Sequence, residues 1–369
     1  MGRKQGLLGE IVKFGNGKSR PNTEGIHPIY GGNGMLGYTS DTNYEGEIII
    51  IGRVGAYCGA TYYENRPVWV SDNALAATPK DNNNAKYIYY FLKNMDLNQH
   101  AEGSSHPLVT QTLLNSIDIE FSDEESEQKT IASVLSSLDD KIDLLHRQNK
   151  TLKAMAETLF RQWFVEEAQE GWEEKRLGDI LTTIESGSRP KGGIDPDLKH
   201  GIPSIGAENI NGLGNYNYGS TKYITSEYFE KMKRGIVQDY DVLIYKDGAY
   251  IGKKSMFAKG FPFKKSAINE HVFILRTKSI FLQIFLYFAL EQEELALLNA
   301  NSAQPGLNQT SMKSFELLLP KSELIGMFGQ TIMPLIDKIF SNGNQIRTLE
   351  KLRDTLLPKL MSGEVRVEI

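Results

Sequence analysis

Two heptad seams limit what this chain can fold into. Ile131, Leu135, Leu138, Ile142, Leu145, Asn149, Leu152, Ala156, Leu159 and Trp163 step by alternating four and three. That pattern makes a helix of about 33 residues, ~50 Å at 1.5 Å per residue. Phe328, Ile332, Leu335, Ile339, Asn342, Ile346, Leu349, Arg353, Leu356 and Leu360 repeat it in the same phase, 197 positions later. An amphipathic helix of that length cannot hide its stripe alone, so the two are expected to pack on each other. Each carries one seam asparagine, Asn149 and Asn342. An antiparallel pair with these face to face sets Ile131 opposite Leu360 and Trp163 opposite Phe328; a parallel pair sets each asparagine against an apolar residue. The expectation is an antiparallel coiled coil whose register is fixed by Asn149 and Asn342. The competing reading has each asparagine facing water. Pro334 predicts a kink or a late start in the second helix, and Pro358 falls near its end.

The duplication extends beyond the helices. Leu8-Gly9-Glu10-Ile11 returns as Leu177-Gly178-Asp179-Ile180, Gly55-Ala56-Tyr57-Cys58-Gly59 as Gly248-Ala249-Tyr250-Ile251-Gly252, and Pro107 with Gln111-Thr112 as Pro305 with Gln309-Thr310. Two long copies are not a solenoid. The boundaries read as a first domain at 1–125, a long helix at 126–168, a second domain at 169–320 and a closing helix at 321–369. Each domain reads as mixed α/β. Glu47 to Ile51, Pro67 to Val70 and Asp241 to Tyr245 are strand candidates. Tyr87 to Met95 and the longer Ile280 to Leu298 read as the matching helices. The second copy is 24 residues longer between its start and the Gly-Ala-Tyr motif, so the copies differ most in loops, where recognition usually resides.

One cysteine, Cys58, excludes internal disulfides and fits a reducing cytoplasm. It reads as a buried, inert thiol. No apolar stretch follows the N-terminus and no run is long enough to span a bilayer, so a soluble, cytoplasmic protein is expected. The net charge of −5 argues mildly against nucleic acid, because phosphate contacts need Lys and Arg. Distribution matters more. Lys246, Lys253, Lys254, Lys259, Lys264, Lys265, Arg276 and Lys278 face only Asp247 and Glu270 over the same stretch, and the first twenty residues are also basic.

Catalytic signatures do not fit. Gly32-Asn33-Gly34-Met35-Leu36-Gly37 matches a dinucleotide fingerprint, but turn residues follow it where a helix should open. A phosphate loop and the Asn-Pro-Pro-aromatic tetrapeptide of amino-methylating enzymes are missing. Six histidines without ligand spacing and one cysteine give no zinc site. The pattern is that of a chain that binds without catalysing.

The chain resembles the specificity (S) subunit of type I restriction-modification systems over nearly its whole length. The most specific pieces are Thr158-Leu159-Phe160-Arg161-Gln162-Trp163-Phe164 and Leu356-Leu357-Pro358-Lys359-Leu360-Met361-Ser362-Gly363-Glu364. Pro28-Ile29-Tyr30-Gly31-Gly32-Asn33-Gly34 and Ile205-Gly206-Ala207-Glu208-Asn209-Ile210 are similar to that family's target-recognition openings. One departure is Trp172, which has no counterpart at the start of the first copy. The resemblance implies two pseudo-symmetric target-recognition domains joined by an antiparallel coiled coil. Each domain would read one half of a bipartite site in the major groove of double-stranded DNA. The helices would set the spacer and dock two methyltransferase subunits, and two motor-nuclease subunits would join them. The resemblance places S-adenosylmethionine on the methyltransferase and ATP and Mg on the motor subunit, with no cofactor, metal or catalytic residue in this chain.

Base edges favour Arg, Lys, Asn and Gln; phosphates favour Lys, Arg, Ser and backbone amides. On that chemistry the DNA-binding candidates of the first domain are Lys18, Ser19, Arg20, Asn33, Arg53, Tyr57, His106 and Gln111. Those of the second are Ser188, Arg189, Lys191, Asn209, Lys246, Tyr250, Lys253, Lys254, Gln304 and Gln309. Ser19-Arg20-Pro21 and Ser188-Arg189-Pro190 recur in matching places, whereas Tyr57 and Tyr250 read equally as core aromatics. The rival from another class is a coiled-coil scaffold that joins two protein partners without touching DNA. An RNA binder lacks the expected aromatic sheet motif.

Overall fold

The structure, a computed structural model, describes residues 3–103, 107–168, 171–295 and 306–367. The chain forms two compact units, 1–141 with 349–369 and 142–348. In the first, the apolar run at Ile48–Gly52 is buried at every position, as a strand covered on both faces must be. It pairs antiparallel with Thr61–Glu64 and Ala74–Pro79, and Val12–Asn16 closes the sheet beyond Ala74–Pro79. A three-stranded sheet sets His27–Gly31 between Gly34–Thr39, antiparallel, and Trp69–Val70, parallel. Arg3–Leu7 pairs with Asp118–Ser122. The helix Ala85–Asn94 starts where the Asn84 side chain accepts from the Tyr87 amide, an N-cap. Its Tyr87, Ile88, Phe91 and Leu92 join Ile49 and Ile51 in one core.

The second unit follows the same plan in the same chain order. Its four-stranded sheet runs Leu181–Ser186, Val272–Thr277, Val242–Tyr245, Lys254–Met256. Its three-stranded sheet sets Ile202–Ile205 between Lys222–Ile224, antiparallel, and Ala267–Ile268, parallel. Glu173–Arg176 pairs with Glu316–Leu319. The covering helix is Ile280–Glu291. It ends at Glu291 with Gln292 as its C-cap, short of the expected Leu298; 296–305 lie outside the described residues.

The central helix spans Glu125–Arg161 and the C-terminal helix Ser322–Ser362. Segments of both enter each unit. In the first, Ile131, Ala132 and Leu135 share a core with Leu357, Leu360 and Met361. There Arg353 Nη1 donates to Asp139 Oδ1 at 2.7 Å, and the Tyr90 hydroxyl donates to the other oxygen at 2.7 Å. In the second, Trp163 packs edge-on to Phe328 with centroids 5.9 Å apart. Asn342 Nδ2 donates to Asn149 Oδ1 at 2.8 Å and to Gln148 Oε1 at 2.8 Å. The segments are antiparallel in each unit. Asn342 is fully buried rather than turned to water.

Pro334 neither delays nor divides the C-terminal helix, which begins at Ser322 and continues past it. A mid-helix proline costs ~3 kcal/mol. Ile332 and Ile336 beside it are fully buried, at ~1.5–3 kcal/mol each, which offsets that cost.

Candidate nucleic-acid interface

Strand pairing brings distant loops to one edge of each domain. In the first, the loop after Val12–Asn16, the turn after Ile48–Gly52 and the segment entering Ala74–Pro79 emerge together, because Asn16 pairs with Leu75 and Gly52 with Ala74. The Arg53 amide donates to Asn73 O at 3.0 Å and the Gly55 amide to Pro107 O at 3.3 Å. The Gln111 side-chain amide lies 2.8 Å from the Asn16 side chain, bringing a fourth segment to the same edge. The second domain builds the same edge. The Lys246 amide donates to His271 O at 3.0 Å, and Asp247 bridges to Gly306. Gly17 and Gly187 make this convergence possible. A Cβ at Gly17 would collide with Ser71 O, and one at Gly187 with Ile268 O, a close backbone approach that only glycine allows.

The edge gathers most of the candidate residues. Lys18, Ser19, Arg20 and Asn33 are exposed, and the Arg20 guanidinium lies over Gly37. Arg53 is half-buried at the edge, its Nε without a partner. Ser188 Oγ shares a 3.0 Å hydrogen bond with the Tyr228 hydroxyl, and Arg189, Lys191 and Gln309 are exposed. Lys246 Nζ sits 5.1 Å from the Phe273 ring centroid. Tyr57 and Tyr250 are not core aromatics. They stand 51% and 55% exposed on matching 3-10 turns, Gly55–Tyr57 and Gly248–Tyr250. Lys253 Nζ lies 4.2 Å from the Tyr250 centroid, a cation–π pair on the same projection. Cys58 is buried, with its thiol donating to Arg53 O at 3.3 Å, and burial pushes its pKa up.

Two candidates have other work. Asn209 is fully buried. Its Oδ1 accepts from the Gly206 amide, and its Nδ2 donates to Asn217 O and Ser220 Oγ. It holds a loop and is not available to DNA. Lys254 turns inward, its Nζ 3.4 Å from Glu293 O, and burial lowers its pKa. His106 and Gln304 lie outside the described residues. The two Ser-Arg-Pro motifs follow strands whose registers differ by one residue. The second sheet carries a bulge between Leu181 and Thr183, which adds one residue to its strand. Pairing aligns Asn16 with Ser186, and beyond the strands the loops part: the Gly17 amide donates to Ala74 O and the Gly187 amide to Asn269 O.

The sequence reading did not single out Asp72 and Asn73, or the residues that the sheets align with them, Glu270 and His271. Each pair immediately precedes a strand and carries no local motif. A comparison of the two copies by strand pairing is what reveals them. In the second domain they build a charged network. His271 Nδ1 lies 2.7 Å from Asp247 Oδ2 and Nε2 lies 2.6 Å from Arg189 Nη2. Arg189 also pairs with Glu270. Burial raises the Glu270 pKa, but the Arg189 hydrogen bond, a backbone amide and the charge of Arg189 together outweigh it and hold the carboxyl below its ordinary value. Among the described residues no group of three or more His, Cys, Asp or Glu could hold a metal ion, and no helix is long and apolar enough to cross a membrane.

Comparison with known proteins bears on this arrangement. The family model described as the type I restriction modification DNA specificity domain matches residues 5–154 and 169–352. The specificity subunit of the type I restriction enzyme MjaIX, from Methanocaldococcus jannaschii, is 29% identical over 356 residues, covering 88% of this chain and 78% of that one. The HindI specificity subunit of Haemophilus influenzae is 23% identical, covering 72% of each. The crystal structure of a type I system S subunit from M. genitalium superposes with a TM-score of 0.68 at 18% identity, covering 97% of this chain and 96% of that one. That likeness speaks to the fold.

Proposed function

The chain belongs to the type I restriction-modification DNA specificity family, and from that premise we propose that it is the DNA-reading subunit of such a complex. Each domain reads one half of a bipartite site in the major groove with the loop edge described above. The observation that carries this reading is that edge: the same strand ends recur in both domains, yet the side chains they present differ. Val54, Asp72 and Asn73 in the first stand where Asp247, Glu270 and His271 stand in the second. One scaffold holding two unlike surfaces suits an asymmetric target. The identical Gly-Ala-Tyr turns suit contacts made in the same way at both halves.

The paired helices set the unread gap and carry two methyltransferase subunits, which supply S-adenosylmethionine chemistry. Two motor-nuclease subunits supply ATP- and Mg-dependent steps. Exposed Met155 on the central helix and exposed Leu352 on the C-terminal helix support paired docking. They occupy equivalent positions of the repeat, 197 apart, so two copies of one partner would meet the same side-chain class. The test is methylome sequencing of cells with and without the gene, alongside its methyltransferase partner. Methyladenine at one split motif, lost with the gene, is expected. An unchanged methylome would return the chain to the rival reading of a protein scaffold.

A further inference from the structure

Arg189 does not stand free at the second domain's edge. Its Nη2 lies 2.6 Å from His271 Nε2 and also meets Glu270 Oε1, while His271 Nδ1 lies 2.7 Å from Asp247 Oδ2. These contacts define one tautomer: Nδ1–H donates to Asp247, and the Nε2 lone pair accepts from Arg189. The guanidinium is thus held from two sides, by a carboxylate and by an imidazole that a second carboxylate orients. All four side chains remain reachable, each between 38% and 40% exposed.

Charge separates two roles for such an arginine. Arg189 contributes one positive charge, and Glu270 and Asp247 one negative charge each, so with a neutral imidazole the cluster is net negative. A phosphate contact gains from net positive charge and is opposed by flanking carboxylates. A base edge is neutral. Guanine offers two acceptors, O6 and N7, to a guanidinium held in plane. An arginine fixed by a carboxylate and by an oriented imidazole matches that edge. Glu270 Oε2 is buried and unpartnered in the free chain, so Glu270 holds the arginine and offers that oxygen to no base.

The other domain sharpens the argument. Strand pairing places Val54, Asp72 and Asn73 where Asp247, Glu270 and His271 stand. The first domain therefore has neither the imidazole nor the carboxylate that orients it, although its strands pair in the same order. A device present in one copy only is what distinguishes one half-sequence from the other, whereas a device for gripping the backbone would serve both.

We propose that Arg189 reads a guanine in the half-site of the second domain, with Glu270 and the His271–Asp247 pair as the positioning residues that set its specificity. This rests on the DNA-reading function proposed above. The test uses the full chain with its methyltransferase partner. The wild-type complex first yields the motif by methylome sequencing. Binding is then titrated on duplexes carrying single base-pair changes, for the wild type, Arg189→Lys, Glu270→Gln and Asp247→Asn. In Glu270→Gln, discrimination at one G·C pair of one half-site is expected to fall about 10- to 100-fold. Preference at the other half-site and affinity for unrelated duplex should stay within about twofold. Arg189→Lys should lose the same discrimination, because a lysine is not bidentate. Asp247→Asn, which keeps the shape and removes one charge, should lose part of it. Equal weakening on every duplex would make Arg189 a phosphate contact and overturn the proposal, as would a change confined to an A·T pair or unchanged preference in all three variants. A wild-type complex with no split motif would instead overturn the DNA-reading function itself.

Discussion

Glu64 shows how a single charge is held in the first domain. Arg66 Nε and Nη2 grip its two oxygens at 2.9 and 2.7 Å, and the amides of Asn65 and Arg66 add hydrogen bonds at 3.0 and 3.1 Å. Burial raises its pKa, yet these donors outweigh burial and hold it below its ordinary value near 4.5. A depressed folded pKa contributes stability above the unfolded pKa and loses it as pH falls. The first unit should therefore lose stability as pH drops below about 4.5, and Glu64→Gln should flatten that dependence in melts between pH 3 and 6. At the seam, Asn342 is buried with its Oδ1 unpartnered while its amide serves Asn149 and Gln148. Replacing Asn149 and Asn342 together by leucine should raise the melting temperature. The two changes should couple by about 1 kcal/mol in a double-mutant cycle, and simple additivity would mean the contact carries no energy.

At the scale of elements, the two long helices have two kinds of apolar residue. Seam residues such as Ile131, Leu135, Ile332 and Ile339 are buried and belong to the pairing. Met155 and Leu352, 48% and 44% exposed, belong to neither seam and, on the proposed function, meet the methyltransferase subunits. Met155→Glu or Leu352→Glu should each remove one methyltransferase subunit from the complex, and the double change both, as read by mass photometry. The isolated chain should melt as before. Full retention of both subunits in the double variant would place the docking face elsewhere. Arg353 occupies a seam position that the heptad marks as apolar. It does so because Asp139, itself held by the Tyr90 hydroxyl, supplies its charge and hydrogen-bond partner.

At the scale of the whole molecule, the proposed function ties helix length to the unread gap in the DNA site. Duplicating 145–151 together with the facing 340–346 adds one heptad to both helices, ~10 Å. The gap in the methylated motif should widen by about 3 bp with both half-sequences kept. The same motif after insertion would mean that the helices do not set it.

The amino-acid order determined what depends on local periodicity and on comparison of the copies. Heptads at period 3.5 gave the two helices and their antiparallel sense, because burying one stripe leaves few arrangements. Runs such as Ile48–Ile51 gave the buried strands for the same reason. The edge proposed to carry recognition was legible only in part. Lys18, Arg20, Arg53 and the Gly-Ala-Tyr turns could be named from residue type, but burial assigned Asn209 to a loop scaffold and Lys254 to an acidic pocket. One extra residue in a β-bulge shifted the strand before Arg189 by one position against its counterpart in the first domain. Glu270 and His271 were invisible, because their neighbours Arg189 and Asp247 are far away in sequence and only strand pairing brings them together. Local pattern sets which elements form; long-range pairing, which no short stretch of chain encodes, decides which side chains share a surface.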